Sequence, residues 1–312
     1  GTIADRKMEG DVPQEEKKAR LKAVGELQAQ IQAEINGRLR EETVEVLVEG
    51  VKRDRAEAVQ ALVAGREDVE LMFHEQCFLE EGHFAGSDAV RLAALLDCAN
   101  DPAFDAVWFA MGGYGSNRIA AEAARQMNDH ARGKRFIGYS DTGFLLGALY
   151  RHGIGQVAHG PLAGDIRRAG GEAAVERALD WLAGGVSGLE PSLGERPAVA
   201  FNLTTLAMMV GTELMPDLAG HVVMIEEVAE HLYAVDRLFF HTSQHLQGIA
   251  GLRLGRISDV PENDRPFGSD EIAIAQDWCA RSGIPYLGRA DIGHDAANKI
   301  VPFGLEARGP RA

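Results

Sequence analysis

The chain has 312 residues, of which 46% are hydrophobic and 25% are charged, a composition typical of globular proteins. Its formal net charge of −15 argues against a surface built to bind nucleic acid or a membrane of anionic lipid. The three cysteines lack CxxC spacing and no apolar run approaches the ~18 residues of a membrane span, so the sequence predicts a cytoplasmic protein with neither a metal centre nor a disulfide framework.

Residues 1–42 are predicted to form a charged, helical extension. Pro13 suits the first turn of a helix, and Asn36-Gly37 offers a stop. Between them, apolar residues recur at helical spacing: Leu21, Val24, Leu27, Ile31 and Ile35. This stripe is expected to pack on the body of the protein or on a partner helix.

From residue 43 to residue 165, strand-like segments alternate with helix-like segments. The predicted strands cover residues 43–50, 69–74, 104–110 and 135–140. The predicted helices cover residues 55–65, 88–100, 117–127 and 141–153, the last with Asp141 as its N-cap. Alternation with short glycine-rich joints predicts a parallel sheet covered by helices, with ligand and catalytic groups at the carboxyl ends of its strands.

Residues 166–197 resemble an interdomain linker, with one amphipathic helix between glycine- and proline-rich flanks. Residues 198–312 then predict a second domain of α+β type. Its predicted helices cover residues 202–214 and 232–245, and its predicted strands cover residues 221–228, 251–258 and 284–293.

A serine lies on the sharp turn after the strand FDAVWFA. In GGYGSN, three glycines permit a crowded backbone around Ser116, and the next N–H, that of Asn117, is a candidate oxyanion donor. A nucleophile is one interpretation. The usual GxSxG elbow lacks its second glycine because Arg118 stands there, so a plain turn or an anion-binding loop also stays open. The phosphate-binding GxGxxG and P-loop patterns do not fit.

A serine nucleophile needs a general base and usually a carboxylate that orients the base. Among the ten histidines, His294 follows a glycine directly after a strand-like run, in ADIGHDAANKIVPFG. Glu226 ends the apolar strand VVMIE, where burial is costly without a partner such as histidine. Glu227 and Glu230 lie beside it, and the alternative for all three is a solvated strand end. The chain order Ser116, Glu226, His294 occurs in known catalytic triads.

Several separate stretches, spread in one order over roughly residues 55–307, resemble the LD-carboxypeptidase family of muramoyltetrapeptide carboxypeptidases and microcin-immunity proteins. They are FDAVWFAMGGYGSNRI, KRFIGYSDTGFLLGAL, VAHGPL, NLTTLAMMVGTELMPDLAGHVVMIEEVAEHLYAVDR and IGHDAANKIVPFGLEA. The resemblance implies an α/β fold with a Rossmann-like N-terminal domain and a smaller, β-rich C-terminal domain. It also implies an active site in the groove between the domains and, often, a homodimer.

The same resemblance implies a serine peptidase that uses a Ser-His-Glu triad and no metal or other cofactor. Ser116 maps to the nucleophile, His294 to the base and Glu226 to the orienting acid. The expected reaction is removal of the terminal D-alanine from a small muropeptide during cell-wall recycling. Gly113 and Asn117 are expected to stabilise the oxyanion through their N–H groups, and Tyr114, Asn202 and Glu230 are expected to line the site. Two alternatives are a peptidase acting on peptidyl-nucleotide antibiotics and an inactive binding homologue.

Three departures from the family pattern stand out. Met111 replaces the arginine that commonly precedes Gly-Gly-Tyr-Gly, which predicts weaker recognition of an anionic group or a looser turn. Phe201 stands where a glycine often precedes Asn202. The usual first strand is missing, and VEVLVEGVKRDRAEAV takes its place.

Residues 1–53 resemble the C-terminal part of radical-SAM methylthiotransferases, where this segment leads into a small RNA-binding β domain. The CxxxCxxC cluster motif of that family is absent, so the segment is expected to bring no catalysis. The β domain breaks off after its first strand and residues 1–55 hold twelve acids against eleven bases, so no nucleic-acid affinity is expected either. The chain is therefore interpreted as a fusion in which a strand at Val44–Val48 fills the first position of the sheet.

Overall fold

The computed structural model describes residues 43–47 and 52–305, so the predicted extension over residues 1–42 lies outside the described residues. The described strands are β1 (Thr43–Leu47), β2 (Glu70–Phe73), β3 (Phe104–Phe109), β4 (Arg135–Gly138), β5 (Gln156–His159), β6 (Ala198–Asn202), β7 (Val222–Val228), β8 (Gly251–Ser258), β9 (Tyr286–Arg289) and β10 (Val301–Pro302). The described α-helices are α1 (Arg53–Val63), α2 (Asp88–Asn100), α3 (Ala120–Gln126), α4 (Asp129–Arg132), α5 (Gly143–Arg151), α6 (Gly171–Leu182), α7 (Leu203–Met209), α8 (Leu232–Ser243) and α9 (Glu271–Ser282). None of these helices has the length and the apolar character needed to cross a membrane.

Local signals explain where several helices begin. Helix α2 starts after Ser87, whose side chain accepts a hydrogen bond from the N–H of Val90. Helix α9 starts after Asp270, which caps the N–H of Ala273 in the same way. Both helices therefore satisfy one of the N–H groups that an α-helix leaves unpaired at its start.

The first sheet has the strand order β10-β5-β4-β3-β1-β2, and every pair is parallel except β10 with β5. Its central strands are apolar and buried, as expected of parallel strands covered by helices on both faces. Trp108 and Phe109 in β3 and Phe136 in β4 have no exposed surface. Because β3 and β4 are parallel neighbours, the turns that follow their carboxyl ends lie side by side.

Strand β1 lies between β2 and β3 and pairs in parallel with both. Val44 is in register with Leu71 on one side and with Ala106 on the other. This confirms the prediction that the segment supplies a strand of the sheet in place of the missing first strand. Val48, at the end of the predicted strand, lies outside the described residues.

The second sheet has the order β6-β7-β8-β9 and is parallel throughout, a direction that the mixture of strands and helices in the sequence did not specify. One hydrophobic core joins the two sheets, since Leu95 and Phe136 from the first half cluster with Val199, Ile225 and Leu254 from the second. The predicted α/β fold class is therefore confirmed.

Helix α6 occupies the predicted linker, as the amphipathic pattern indicates. Its buried face includes Val175, Ala178 and Leu179, which pack in one cluster with Val59 of α1 and Trp108 of β3. The helix thus covers the first sheet. The domain limits at residues 43–165, 166–197 and 198–312 stay a prediction.

The chain returns from the second sheet to the first near its end. After β9, it runs to β10, where Val301 pairs antiparallel with His159 of β5. The intervening loop carries His294, so this return places that histidine beside the carboxyl ends of the first sheet.

Candidate active site

Two cavities meet at the turns that follow β3 and β4. The larger cavity, of about 760 Å³, is lined by all five residues predicted to bind substrate or oxyanion: Gly113, Tyr114, Asn117, Asn202 and Glu230. The smaller cavity, of about 320 Å³, has a lining that includes Arg55, Met111, Tyr139, Arg168 and His294. Gly113 and Ser140 line both cavities, so these two residues lie where a substrate spanning the cavities would pass.

The predicted base and orienting acid form a hydrogen-bonded pair. The ring Nδ1 of His294 lies 3.0 Å from Oε2 of Glu226. The side chain of Glu226 is fully buried, and that of His294 is 13% exposed. A buried carboxylate is stable only with a partner, and here the imidazole is that partner. Within the described residues, Nε2 of His294 has no hydrogen-bond partner, so it is available to exchange a proton.

Two of the contacts that hold the His294 loop in place are made by His294 itself. Arg168 donates from Nη1 to the backbone carbonyl of His294 at 2.6 Å. The ring of Tyr139 lies with its centroid 4.8 Å from that of His294. Loop and ring are therefore fixed from both sides, which preserves the orientation that a general base needs.

Ser116 does not meet His294 through a hydrogen bond. Its hydroxyl is fully buried and donates to the backbone carbonyl of Asp141 at 2.5 Å, while its N–H donates to Oδ2 of Asp141 at 2.8 Å. These bonds tie the turn after β3 to the turn after β4. They give Ser116 a structural role and argue against the predicted role as nucleophile.

Asp141 likewise has a different role from the predicted one. Thr142 precedes α5 at the N-cap position, and the carboxylate of Asp141 instead accepts the N–H of Ser116. Burial raises the pKa of the Asp141 carboxyl, and the hydrogen bonds from Ser116 oppose that shift. The predicted N-cap role of Asp141 is wrong, because its carboxylate accepts the N–H of Ser116 from the turn after β3. The local sequence around Asp141 does not show this donor.

Ser140 is the serine that sequence reasoning missed. It follows β4 with φ of +63°, in the left-handed region that residues other than glycine rarely adopt. It opens a 3-10 turn, Ser140–Thr142, that leads directly into α5. Within the described residues its hydroxyl has no hydrogen-bond partner. A strained serine on a strand-to-helix turn, with a free hydroxyl, is the arrangement of a nucleophile elbow.

Two glycines allow this elbow to form. A Cβ on Gly138 would come within 2.6 Å of Oγ1 of Thr142, and a Cβ on Gly112 would come within 3.0 Å of Oγ of Ser140. The segment GYSDT therefore keeps the first glycine of GxSxG and replaces the second with Thr142. That pattern was present in the sequence and could have identified Ser140.

The neighbouring acid Glu227 serves the framework of the larger cavity. It is buried and accepts hydrogen bonds from Nδ2 of Asn202 at 2.7 Å and from the N–H and hydroxyl of Thr204. Burial raises its pKa. Asn202 also caps α7 by accepting the N–H of Thr205. Since Glu226 and Glu227 are both buried, neither is the solvated strand end that the sequence left open.

A buried histidine, His159, lies behind the pair. Nε2 of His159 lies 3.2 Å from Oδ1 of Asn298, and burial lowers the pKa of His159 to about 4. The imidazole is therefore neutral near pH 7. Its ring packs against Tyr139, with centroids 5.6 Å apart. His159 and Tyr139 thus form an uncharged wall behind His294.

The described residues contain no group of three or more His, Cys, Asp or Glu side chains placed to hold a metal ion. The expectation that the protein works without a cofactor stays a prediction.

Comparisons with known proteins agree with this architecture. The LD-carboxypeptidase N-terminal domain matches residues 45–160, and the LD-carboxypeptidase C-terminal domain matches residues 197–308. The murein tetrapeptide carboxypeptidase of Pseudomonas aeruginosa is 26% identical over 249 residues, which span 72% of this chain and 78% of that protein.

Two solved structures share the fold. The muramoyltetrapeptide carboxypeptidase of Oxalobacter formigenes aligns with a TM-score of 0.68 and 23% identity, over 84% of this chain and 92% of its own. The microcin C7 self-immunity protein MccF aligns with a TM-score of 0.71 and 17% identity, over 84% of this chain and 91% of its own. Another structure of MccF is of an active-site mutant in which a serine, an asparagine and a lysine are each changed to alanine.

The resemblance of residues 1–53 to radical-SAM methylthiotransferases stays a prediction. The match to the LD-carboxypeptidase N-terminal domain begins at residue 45, so it includes the last residues of that segment, and the C-terminal domain match covers residues 197–308. The chain belongs to the LD-carboxypeptidase family of peptidases.

Proposed function

We propose that this protein is a serine-type LD-carboxypeptidase that removes the terminal D-alanine from murein tetrapeptides, with Ser140, His294 and Glu226 as its catalytic residues. The observation that carries the proposal is the smaller cavity, where the free hydroxyl of Ser140 and the Glu226-paired His294 line one space. The substrate class comes from the murein tetrapeptide carboxypeptidase to which the chain is similar.

In the acylation step, Nε2 of His294 takes the proton of Ser140 while Oγ attacks the carbonyl carbon of the scissile amide. Glu226 stabilises the imidazolium that forms. The N–H groups of Gly113 and Asp141, next to Ser140, are the proposed donors to the oxyanion. His294 then gives its proton to the departing amine, the C–N bond breaks, and D-alanine leaves.

In the deacylation step, a water molecule replaces the amine. His294 takes a proton from this water, whose oxygen attacks the acyl carbon of the Ser140 ester. The ester C–O bond breaks, and the proton returns from His294 to Oγ of Ser140. The products are the shortened peptide and D-alanine, and the enzyme is restored.

Ser140 takes the role that the sequence pattern assigned to Ser116, because the two hydroxyls differ in availability. The hydroxyl of Ser116 is already donated to the carbonyl of Asp141. Moving it toward a base would break a buried hydrogen bond, at a cost of about 1 kcal/mol or more. Asn117, the predicted oxyanion donor beside Ser116, is replaced in this role by Asp141 for the same reason.

Two other functions are alternatives. Because the fold is similar to that of MccF, a peptidyl-nucleotide is the second candidate substrate class. An inactive binding homologue is disfavoured by the intact His294–Glu226 pair and by the free Ser140 hydroxyl. A homodimer stays a prediction from the resemblance, and a cytoplasmic location stays a prediction from the composition of the sequence.

The test compares Ser140→Ala with Ser116→Ala in the full chain. With a murein tetrapeptide as substrate and release of D-alanine followed by mass spectrometry, Ser140→Ala is expected to lower kcat by roughly 10³-fold or more. Ser116→Ala is expected to retain most of the activity, with a modest loss of stability. Loss of activity in Ser116→Ala alone, with a normally folded protein, would return the nucleophile to Ser116.

A further inference from the structure

The smaller cavity contains three guanidinium groups, and two of them are neutralised. Arg168 donates from Nε to Oδ1 of Asp165 at 2.7 Å. Arg167 donates from Nη2 to Oδ2 of Asp54 at 3.1 Å. Arg55 differs, because among the described residues no carboxylate lies within ion-pair distance of it.

Within the described residues, the one polar contact of the Arg55 side chain is from Nη1 to the thioether sulfur of Met111, at 3.6 Å. A thioether is a weak, uncharged acceptor, so this contact can hold the guanidinium without neutralising it. Arg55 is half-buried at the start of α1. A partly desolvated guanidinium that has no carboxylate partner among the described residues can bind an anion that a ligand brings into the cavity.

The guanidinium of Arg55 lies in the same cavity as the proposed catalytic residues. Arg55, Ser140 and His294 all line the smaller cavity. In the proposed mechanism His294 protonates the departing amine, so the departing residue must lie on the His294 side of Ser140. That side is the smaller cavity, whose 320 Å³ suit one small residue, while the larger cavity is left for the rest of the peptide.

We propose that Arg55 binds the terminal carboxylate of the substrate and thereby restricts cleavage to the last residue of the peptide. The inference rests on the proposed function for the direction in which the peptide lies. Arginine suits this task because its planar fork donates two parallel hydrogen bonds to a carboxylate. A peptide that continued beyond the cavity would present an amide there and leave Arg55 without its anion.

The kinetic test uses two tetrapeptides that differ at one group, a free terminal carboxylate or a terminal carboxamide. The parent enzyme is expected to prefer the free acid in kcat/KM. Arg55→Gln is expected to lower the acid-to-amide ratio at least tenfold, mainly through KM, and Arg55→Lys to restore part of it. Arg281→Gln removes an equal charge from the exposed face of α9 and is expected to keep the parent ratio. A parent ratio near one, or an unchanged ratio in Arg55→Gln, would overturn the inference.

A binding test separates this inference from the proposed function. N-acetyl-D-alanine and N-acetyl-D-alaninamide are titrated into the Ser140→Ala protein and followed by NMR. The acid is expected to bind at least tenfold more tightly than the amide, and Arg55→Gln is expected to abolish the difference. Equal binding of both ligands refutes the carboxylate site even if the enzyme cleaves tetrapeptides. Selective binding by a protein that cleaves no tetrapeptide refutes the proposed function alone.

Discussion

At the scale of single residues, the central feature is a carboxylate buried beneath an imidazole. Glu226 has no exposed surface, and within the described residues its Oε2 bonds only to His294, while Oε1 has no hydrogen-bond partner. The acid therefore depends on one neighbour for its stability as an ion. In the proposed mechanism the same carboxylate orients the imidazole and stabilises the imidazolium that forms during the reaction.

This dependence predicts a non-additive effect on stability. His294→Ala leaves a buried carboxylate without a partner and is expected to lower the free energy of unfolding by about 3 kcal/mol. Adding Glu226→Gln removes the charge, so the double variant is expected to be more stable than His294→Ala alone. Denaturant unfolding at pH 7 measures the free energy of unfolding of the parent protein, the two single variants and the double variant, which together form a double-mutant cycle. Losses that simply add would show that Glu226 is not stabilised by His294.

The two serines show where residue-level reasoning from the sequence ended. His294 and Glu226 could be predicted because a glycine-framed loop and a carboxylate at an apolar strand end are local signals. Ser116 and Ser140 both follow a strand and lie within two residues of a glycine, and the first glycine of GxSxG in GYSDT was the one local signal in favour of Ser140. The difference lies in the backbone of Asp141, which accepts one hydroxyl and leaves the other free. That contact joins two turns that are distant in sequence, and no local pattern contains it.

At the scale of secondary structure, the turns after β3 and β4 act as one unit. Gly112 lies on the first turn and Ser140 on the second, and the gap between them would be filled by a single methyl group. In the proposed mechanism, close approach of the two backbones lets the N–H groups of the first turn face a carbonyl bound at Ser140. We therefore expect the proposed site to require glycine at position 112.

Gly112→Ala tests this requirement. The new Cβ would lie 2.9 Å from Cβ of Ser140, so the turn must shift, which is expected to lower kcat at least tenfold and stability by about 1–3 kcal/mol. Gly65→Ala is the matched control, since no atom lies within 4 Å of its added Cβ. Steady-state kinetics and thermal unfolding measure both variants. Normal kcat in Gly112→Ala would mean that this turn does not form part of the site.

Elements with strong periodicity were predicted closely, and elements without it were not. Helix α2 and strand β8 have the predicted bounds. Strand β10 has two residues and is defined by its pairing with β5, so no pattern within it marks a strand. Helix α9 buries only three residues, which gives a weak apolar stripe. Tertiary pairing, rather than local preference, fixes such elements.

At the scale of the whole molecule, the site exists because the chain crosses between its two sheets. β7 of the second sheet supplies Glu226, the loop returning to the first sheet supplies His294, and the turn after β4 supplies Ser140. One hydrophobic core underlies both sheets and holds these parts in register. The sequence predicted two lobes with a site between them, but the return through β10 became visible only in the structure.

A fluorophosphonate, which labels an activated serine irrespective of substrate, can identify which of the two serines is the nucleophile. Trypsin releases Ser140 and Ser116 on separate peptides, residues 136–151 and residues 92–118, each with one serine. We expect a phosphonyl adduct on residues 136–151 that is absent from Ser140→Ala and strongly reduced in His294→Ala. An adduct confined to residues 92–118 would contradict the assignment of Ser140 as the nucleophile.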